Sequence, residues 1–256
     1  MRVSIAAFSF HGLREAGMMD AFGYLESVKY RYRLDTADFW NGMIGTTDEE
    51  YLKKVKQALD EREMTVVNYH ADGPHVWEDD PAAREKNYRD ALTHLQAAAL
   101  LGAQTVRIDT GGTLTPITDE QLETLANRYR EYAQFGEEHG FVVGPENHWG
   151  LSLIADNMEK LAKAVDHPAY GILLHVGHWE DGDEEGGDRR LAKYAAHTHL
   201  DARITRTCLQ ERVKILVDAG YQGCWGVEHH SGKNEYVEVA WQLAEVQRAL
   251  VHAGVK

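Results

Sequence analysis

The chain has 256 residues, 43% of them hydrophobic and 27% charged, which is enough apolar material for one sizeable core. A formal net charge of −14 removes the positive field that draws proteins to nucleic acid, and no apolar run approaches the ~20 residues of a membrane helix. Cys208 and Cys224 show no CxxC spacing and the start, MRVSIAAFSF, lacks a signal-peptide layout, so reduced thiols in a cytoplasmic protein are expected.

Short apolar runs alternate with helical patterns along the whole length. The first strand is expected at residues 3–7, then a helix at 20–28 and a strand at 34–39. An amphipathic helix follows at 48–63, with Leu52, Val55, Ala58 and Leu59 on one face and Thr47 and Glu50 as a capping box. MTVVNY is a strand, and 80–102 is a helix with Pro81 in its first turn and Gly102 at its end. QTVRID, FVVGPE, GILLHV, AAHTHL and CWGVE continue the strands. Helices are expected at 118–139, 152–165, 207–219 and 235–253. The helix after the sixth strand is short, and the acidic stretch 180–188 reads as a solvated loop or, alternatively, a mobile lid. Eight apolar strands without clean polar alternation are strands of a covered parallel sheet. Eight βα units favour a closed (β/α)8 TIM barrel in the α/β class, one domain over residues 1–256.

Glu146, His175, His199 and Glu228 lie 29, 24 and 29 residues apart, each at the C-terminal end of an apolar run. A strand with its crossover takes about that many residues. Parallel strands would therefore bring two carboxylates and two imidazoles to one face, as a divalent-metal site. Each residue alone has an ordinary explanation, as a satisfied polar group or an ion-pair partner. A buried carboxylate is costly unless paired or metal-bound, however, and two of them with histidines at matching depth share one cause. His197 is read as alternating with His199, so that only His199, nearer the strand end, points inward.

Ten of the 14 histidines fall at or after strand ends. His70, His148 and His178 are candidates to touch a ligand. So are Trp40, Trp149 and Trp179, whose indoles would cover the C–H face of a sugar. Asp109 weighs evenly between a structural role and the site, and Arg107 precedes it. Few cations gather at the strand ends, so a neutral sugar or polyol is favoured over a sugar phosphate.

These residues resemble the xylose isomerase-like TIM barrels, a family of sugar isomerases, ketose 3-epimerases, inosose dehydratases and an AP endonuclease branch. The resemblance covers essentially the whole chain and rests on PENH at residues 146–148 with the preceding Pro, HVGH at 175–178, HTHLD at 197–201 and YQGCWGVE at 221–228. It implies metal ligation by Glu146, His199 and Glu228, and substrate contact by His178. There are two departures. The family's strand-six Asp is His175 here, and the lysine of its H-x-K-D motif is absent from His199-Leu200-Asp201-Ala202, which leaves Arg203 or Arg206 to supply a cation.

The reading is a metal-dependent sugar isomerase or epimerase that acts on a neutral monosaccharide through an enediolate, with Glu146 and Glu228 moving the proton. Zn, Co, Mn, Ni or Fe suits the imidazole-rich shell better than Mg. A lyase or dehydratase acting on a keto-sugar or keto-inositol is the competing chemistry, and a degenerate sugar-binding barrel the non-catalytic one. The expected partners are a small-molecule sugar or polyol, no nucleic acid and no membrane; a homodimer is the commonest assembly in general.

Overall fold

In the computed structural model, which describes residues 2–180 and 182–255, the eight expected strands are all present and parallel. They are β1 (Val3–Ile5), β2 (Thr36–Trp40), β3 (Thr65–Ala71), β4 (Thr105–Ile108), β5 (Val142–Gly144), β6 (Ile172–His175), β7 (Ala195–Leu200) and β8 (Cys224–Val227). Two four-stranded runs, β1-β8-β7-β6 and β2-β3-β4-β5, carry continuous ladders. Isolated bridges close the two seams: Ala6 with Asp38 between β1 and β2, and Val143 with Tyr170 and Glu146 with Leu173 between β5 and β6. The backbones approach so closely at the second seam that a Cβ on Gly144 would lie 1.9 Å from the Gly171 carbonyl oxygen, so no larger residue fits.

The outward strand residues pack against helices. Leu52, Val55, Ala58 and Leu59 of helix Glu49–Glu61 are buried as their spacing requires, each worth roughly 1–3 kcal/mol of burial. The cap of that helix corrects the sequence reading. Asp48, not Thr47, accepts the Tyr51 N–H, because its carboxylate satisfies an orphan donor and also complements the helix dipole. Helix Pro81–Leu101 begins on Asp80 and ends on Gly102 at φ 72°. Helix Asp119–His139 opens with a capping box between Thr118 and Gln121. The expected helix at 207–219 is present as Leu209–Asp218, and a separate short helix, Ala202–Thr207, precedes it across Cys208.

The acidic stretch after β6 is not simply a loop. Asp183 accepts from Gly186 N, Glu184 and Glu185 occupy the first turn, and helix Glu184–Leu191 follows. Asp188 in that helix is buried and accepts the Gly177 and Trp179 N–H groups, both at 2.9 Å. Asp181 lies outside the described residues. Among the described residues no helix is long and apolar enough to cross a membrane.

Register decides what meets inside the barrel. Trp40, His70, Arg107 and Gly144 are paired across β2 to β5, and His175, His199 and Gly226 across β6 to β8. Barrel interiors are ordinarily filled by branched apolar side chains. Here Ser4, Asp38, Asn68, Arg107, His197 and His199 are all buried, and the hydrogen bonds and ion pairs below link them into polar clusters.

Candidate metal centre

Strand ends deliver the four spaced residues to one point. Glu146 follows β5, His175 ends β6, His199 lies in β7 and Glu228 follows β8, and all four are buried. His175 Nδ1 is 3.0 Å from Glu146 Oε1 and 3.6 Å from Glu228 Oε2. His199 Nδ1 is 3.2 and 3.4 Å from the same two oxygens. Donor atoms about 2.0–2.2 Å from a tetrahedral ion sit about 3.3–3.6 Å apart. The two spacings to Glu228 fall in that range and the two to Glu146 are slightly shorter, so a small divalent cation fits with a slight opening at Glu146. Two carboxylates and two imidazoles also match the chemistry of such an ion.

The electrostatics agree with a cation-seeking pair of acids. Burial alone would raise the Glu146 carboxyl, but Arg107 and the imidazoles of His175 and His199 outweigh it and hold it well below its usual value. Glu228 is likewise opposed by burial and held low by His199 and His230. His230 Nε2 lies 2.9 Å from Glu228 Oε2. The position of His230 two residues after Glu228 was available in the sequence, but its contact depends on the loop.

Around this point lie the other candidates. His70 Nδ1 is 3.0 Å from Arg107 Nη2, and its ring stands edge-on to His199 at 5.3 Å. Burial and the Arg107 charge push it down to about 4. His178 is pushed down to about 4 by burial and by its neighbours His175 and His148. His148 goes the other way: burial opposes, but Asp109 and Glu146 raise it to about 9. Asp109 is buried, pairs with the Arg107 Nη1 and accepts the Trp149 indole N–H at 3.0 Å. Trp149 is 45% exposed at the mouth. Trp40 donates its indole N–H to Asp72 at 2.6 Å. His70 Nε2, Asp109 Oδ1, His148 Nδ1 and His178 Nδ1 are buried and make no hydrogen bond within the protein. Such a concentration of unpaired donors and acceptors beside the four ligating groups is a place for ligand hydroxyls or water.

Three expectations are corrected. His197 and His199 both point inward, and both face Asp38, because residues two apart on a strand share a face. Trp179 is in the core with its N–H on Asp188, so it offers no stacking face at the mouth. Arg203 is held by Glu184 and the Gly177 carbonyl, and Arg206 by Glu238. The cation that faces the site is Arg107 of β4, whose Nε is 3.3 Å from Glu146 Oε2.

The family profile described as xylose isomerase-like TIM barrel matches residues 32–249, a span that includes all four converging residues. No curated protein sequence matches the chain. Among solved structures, a xylose isomerase-like TIM barrel protein from Mycobacterium smegmatis in complex with magnesium superposes with a TM-score of 0.77 at 14% identity, covering 100% of this chain and 98% of that one. D-psicose 3-epimerase with D-tagatose from Clostridium cellulolyticum H10 gives 0.73 at 18% identity, covering 99% and 98%. A probable 3-DHS dehydratase involved in petrobactin synthesis from Bacillus anthracis gives 0.71 at 14%, covering 95% and 98%. Strand order, barrel closure and the profile match agree, and the chain belongs to the xylose isomerase-like TIM barrel family.

Proposed function

We propose that this protein is a metal-dependent sugar isomerase or epimerase acting on a neutral monosaccharide. The observation that carries the proposal is the convergence of Glu146, His175, His199 and Glu228, whose ligand atoms all lie within 4.8 Å of one another. When bound, a divalent ion there would polarise a substrate carbonyl as a Lewis acid. Glu146 and Glu228, held ionised by their surroundings, would take a proton from the carbon beside that carbonyl and return it. Asp109 Oδ1 offers an acceptor for a substrate hydroxyl, and Trp149 offers an apolar face. A cavity of about 410 Å³, lined by residues that include Asp201, His229, His230 and Ser231, opens next to the loop that follows Glu228, and none of the four converging residues lines it. Support from known proteins is the likeness to a D-psicose 3-epimerase.

The likeness to a probable dehydratase favours a second reading, elimination of water from a keto-sugar or keto-inositol. Both reactions begin with the same proton abstraction, so the products separate them. Metal-repleted protein would be analysed for bound ions beside Glu146→Ala and Glu228→Ala, then screened by mass spectrometry against C5 and C6 ketoses and keto-inositols. The proposal expects one ion per chain, lost in both variants, and a product of unchanged mass. Full ion occupancy in both folded variants would sink the site, and a product lighter by one water would replace the isomerase with a lyase.

A further inference from the structure

Beneath the four converging residues lies a second layer of polar groups that no ligand could reach directly. Asp38 of β2 is fully buried. Its Oδ2 accepts the Ser4 hydroxyl at 2.9 Å and lies 2.8 Å from His197 Nε2; His199 Nε2 is buried 3.4 Å from the same oxygen and makes no hydrogen bond elsewhere, so Asp38 is the acceptor within its reach. Its Oδ1 accepts the Asn68 amide at 2.9 Å. The Thr105 hydroxyl lies between Asn68 Oδ1 at 2.9 Å and the Val67 carbonyl at 2.8 Å, so it holds the oxygen end of that amide on the side away from Asp38. Gly226 leaves the space that permits this approach. A Cβ there would stand 2.8 Å from His199 Cδ2 and 3.1 Å from Asp38 Oδ2.

His199 therefore has carboxylates at both ring nitrogens: Asp38 at Nε2, and Glu146 and Glu228 at Nδ1. An imidazolium donates to carboxylates on both sides, whereas a ring that gives one nitrogen to an ion is neutral and keeps its single proton on the other. Metal-bound histidines commonly donate their second N–H to a carboxylate, which fixes the tautomer and the ring plane. Asp38, His197 and His199 also come close enough together to raise the question of a second ion at Asp38. The Ser4 hydroxyl and the Asn68 amide already donate to its two oxygens, and His197 takes the remaining short contact, so Asp38 is read as a partner of His199.

We infer that Asp38 is a positioning residue for the metal centre, holding His199 with its proton on Nε2 so that the Nδ1 lone pair is presented to the ion. His197, on the same oxygen, keeps Asp38 in place from the layer below. The inference rests on the metal-site reading of the proposed function and adds the atom through which His199 ligates. Replacing Asp38 by Asn puts an amide NH2 where the acceptor was. His199 must then accept at Nε2 and carry its proton on Nδ1, where the ion needs a lone pair.

The test is a Co²⁺ titration of metal-free wild type and Asp38→Asn, followed by the visible d–d absorption and by chelator competition, with circular dichroism and thermal melting as checks on folding. The expected result is a folded variant that binds Co²⁺ about 10–100-fold more weakly with an altered absorption band. A folded Asp38→Asn with wild-type affinity and spectrum would overturn the inference while leaving the metal site intact. A wild type that binds no Co²⁺ would overturn the site and this inference together. Should Asp38→Asn not fold, ¹⁵N-histidine NMR of Zn²⁺-loaded wild type decides: the inference expects the proton of His199 on Nε2, and a proton on Nδ1 overturns it.

Discussion

Arg107 and Glu146 face each other inside the barrel, with the guanidinium on the carboxylate oxygen turned away from the two histidines. The same guanidinium pairs with Asp72 and Asp109, so one buried cation serves three acids. Removing one partner of a buried ion cluster leaves uncompensated charge, at a cost of about 3–5 kcal/mol. Arg107→Met is expected to lose stability in that range in urea unfolding, and to recover part of it when a divalent ion adds positive charge beside Glu146. A loss below about 1 kcal/mol, the range of exposed pairs, would mean that water screens the cluster.

Trp149 is the indole best placed to meet a ligand. Its N–H is tied to Asp109, the His75 ring stands edge-on at 4.3 Å, and nearly half of the residue is exposed. A bound polyol would cover that surface and change its emission. The change should shrink in Trp149→Ala, with Kd weakened on the order of tenfold, about 1.4 kcal/mol. It should persist in Trp179→Phe, because Trp179 is buried against Asp188. Equal perturbation in wild type and Trp149→Ala would remove Trp149 from the binding surface.

Away from the site, His94 on helix Pro81–Leu101 meets the Tyr69 hydroxyl at 2.7 Å, and burial lowers its pKa. An unfolded histidine titrates near 6.5. Below that pH the unfolded chain binds a proton that folded His94 resists, so its contribution to stability is complete above about 6.5 and falls as the pH drops toward the folded value. The slope is at most about 1.4 kcal/mol per pH unit. His94→Gln, which carries no titrating group, should lose less stability than wild type between pH 7.5 and pH 5. Parallel losses in urea midpoints would show that His94 is protonated freely in the folded protein.

How far the sequence carried is visible in particular residues. The strands were legible because apolar runs buried on both faces have a distinct composition, and the even spacing of Glu146, His175, His199 and Glu228 followed from the length of a βα unit. The contact of Arg107 with Glu146 was not legible, because it depends on the register that sets Arg107 beside Gly144 and on how the chain leaves β5. Nor was the pairing of Arg203 with Glu184, which needs the helix that grows from the acidic stretch. His197 was legible and misread: the two-residue period of a strand places it on the same face as His199.

His175 separates this chain from the pattern it resembles, and it reaches the centre with Nδ1 3.0 Å from Glu146 and 3.6 Å from Glu228. Two carboxylates and two neutral imidazoles around a 2+ ion sum to zero charge, whereas a third carboxylate in place of His175 would give −1. The less negative, nitrogen-rich shell favours Zn²⁺, Co²⁺, Ni²⁺ or Fe²⁺ over Mg²⁺ and leaves the ion a stronger Lewis acid. His175→Asp is therefore expected to shift preference toward Mg²⁺ and Mn²⁺. His175→Ala should weaken Zn²⁺ and Co²⁺ by at least about tenfold, or 1.4 kcal/mol, in chelator competition. His178 is the nearest substitute, since its ring centre lies 4.8 Å from that of His175 and its Nδ1 has no partner. His175→Ala with His178→Ala, compared with each single variant, distinguishes ligation by His175 from replacement by its neighbour. Unchanged affinity for all four ions in His175→Ala, with His178 intact or removed, would exclude His175 as a ligand.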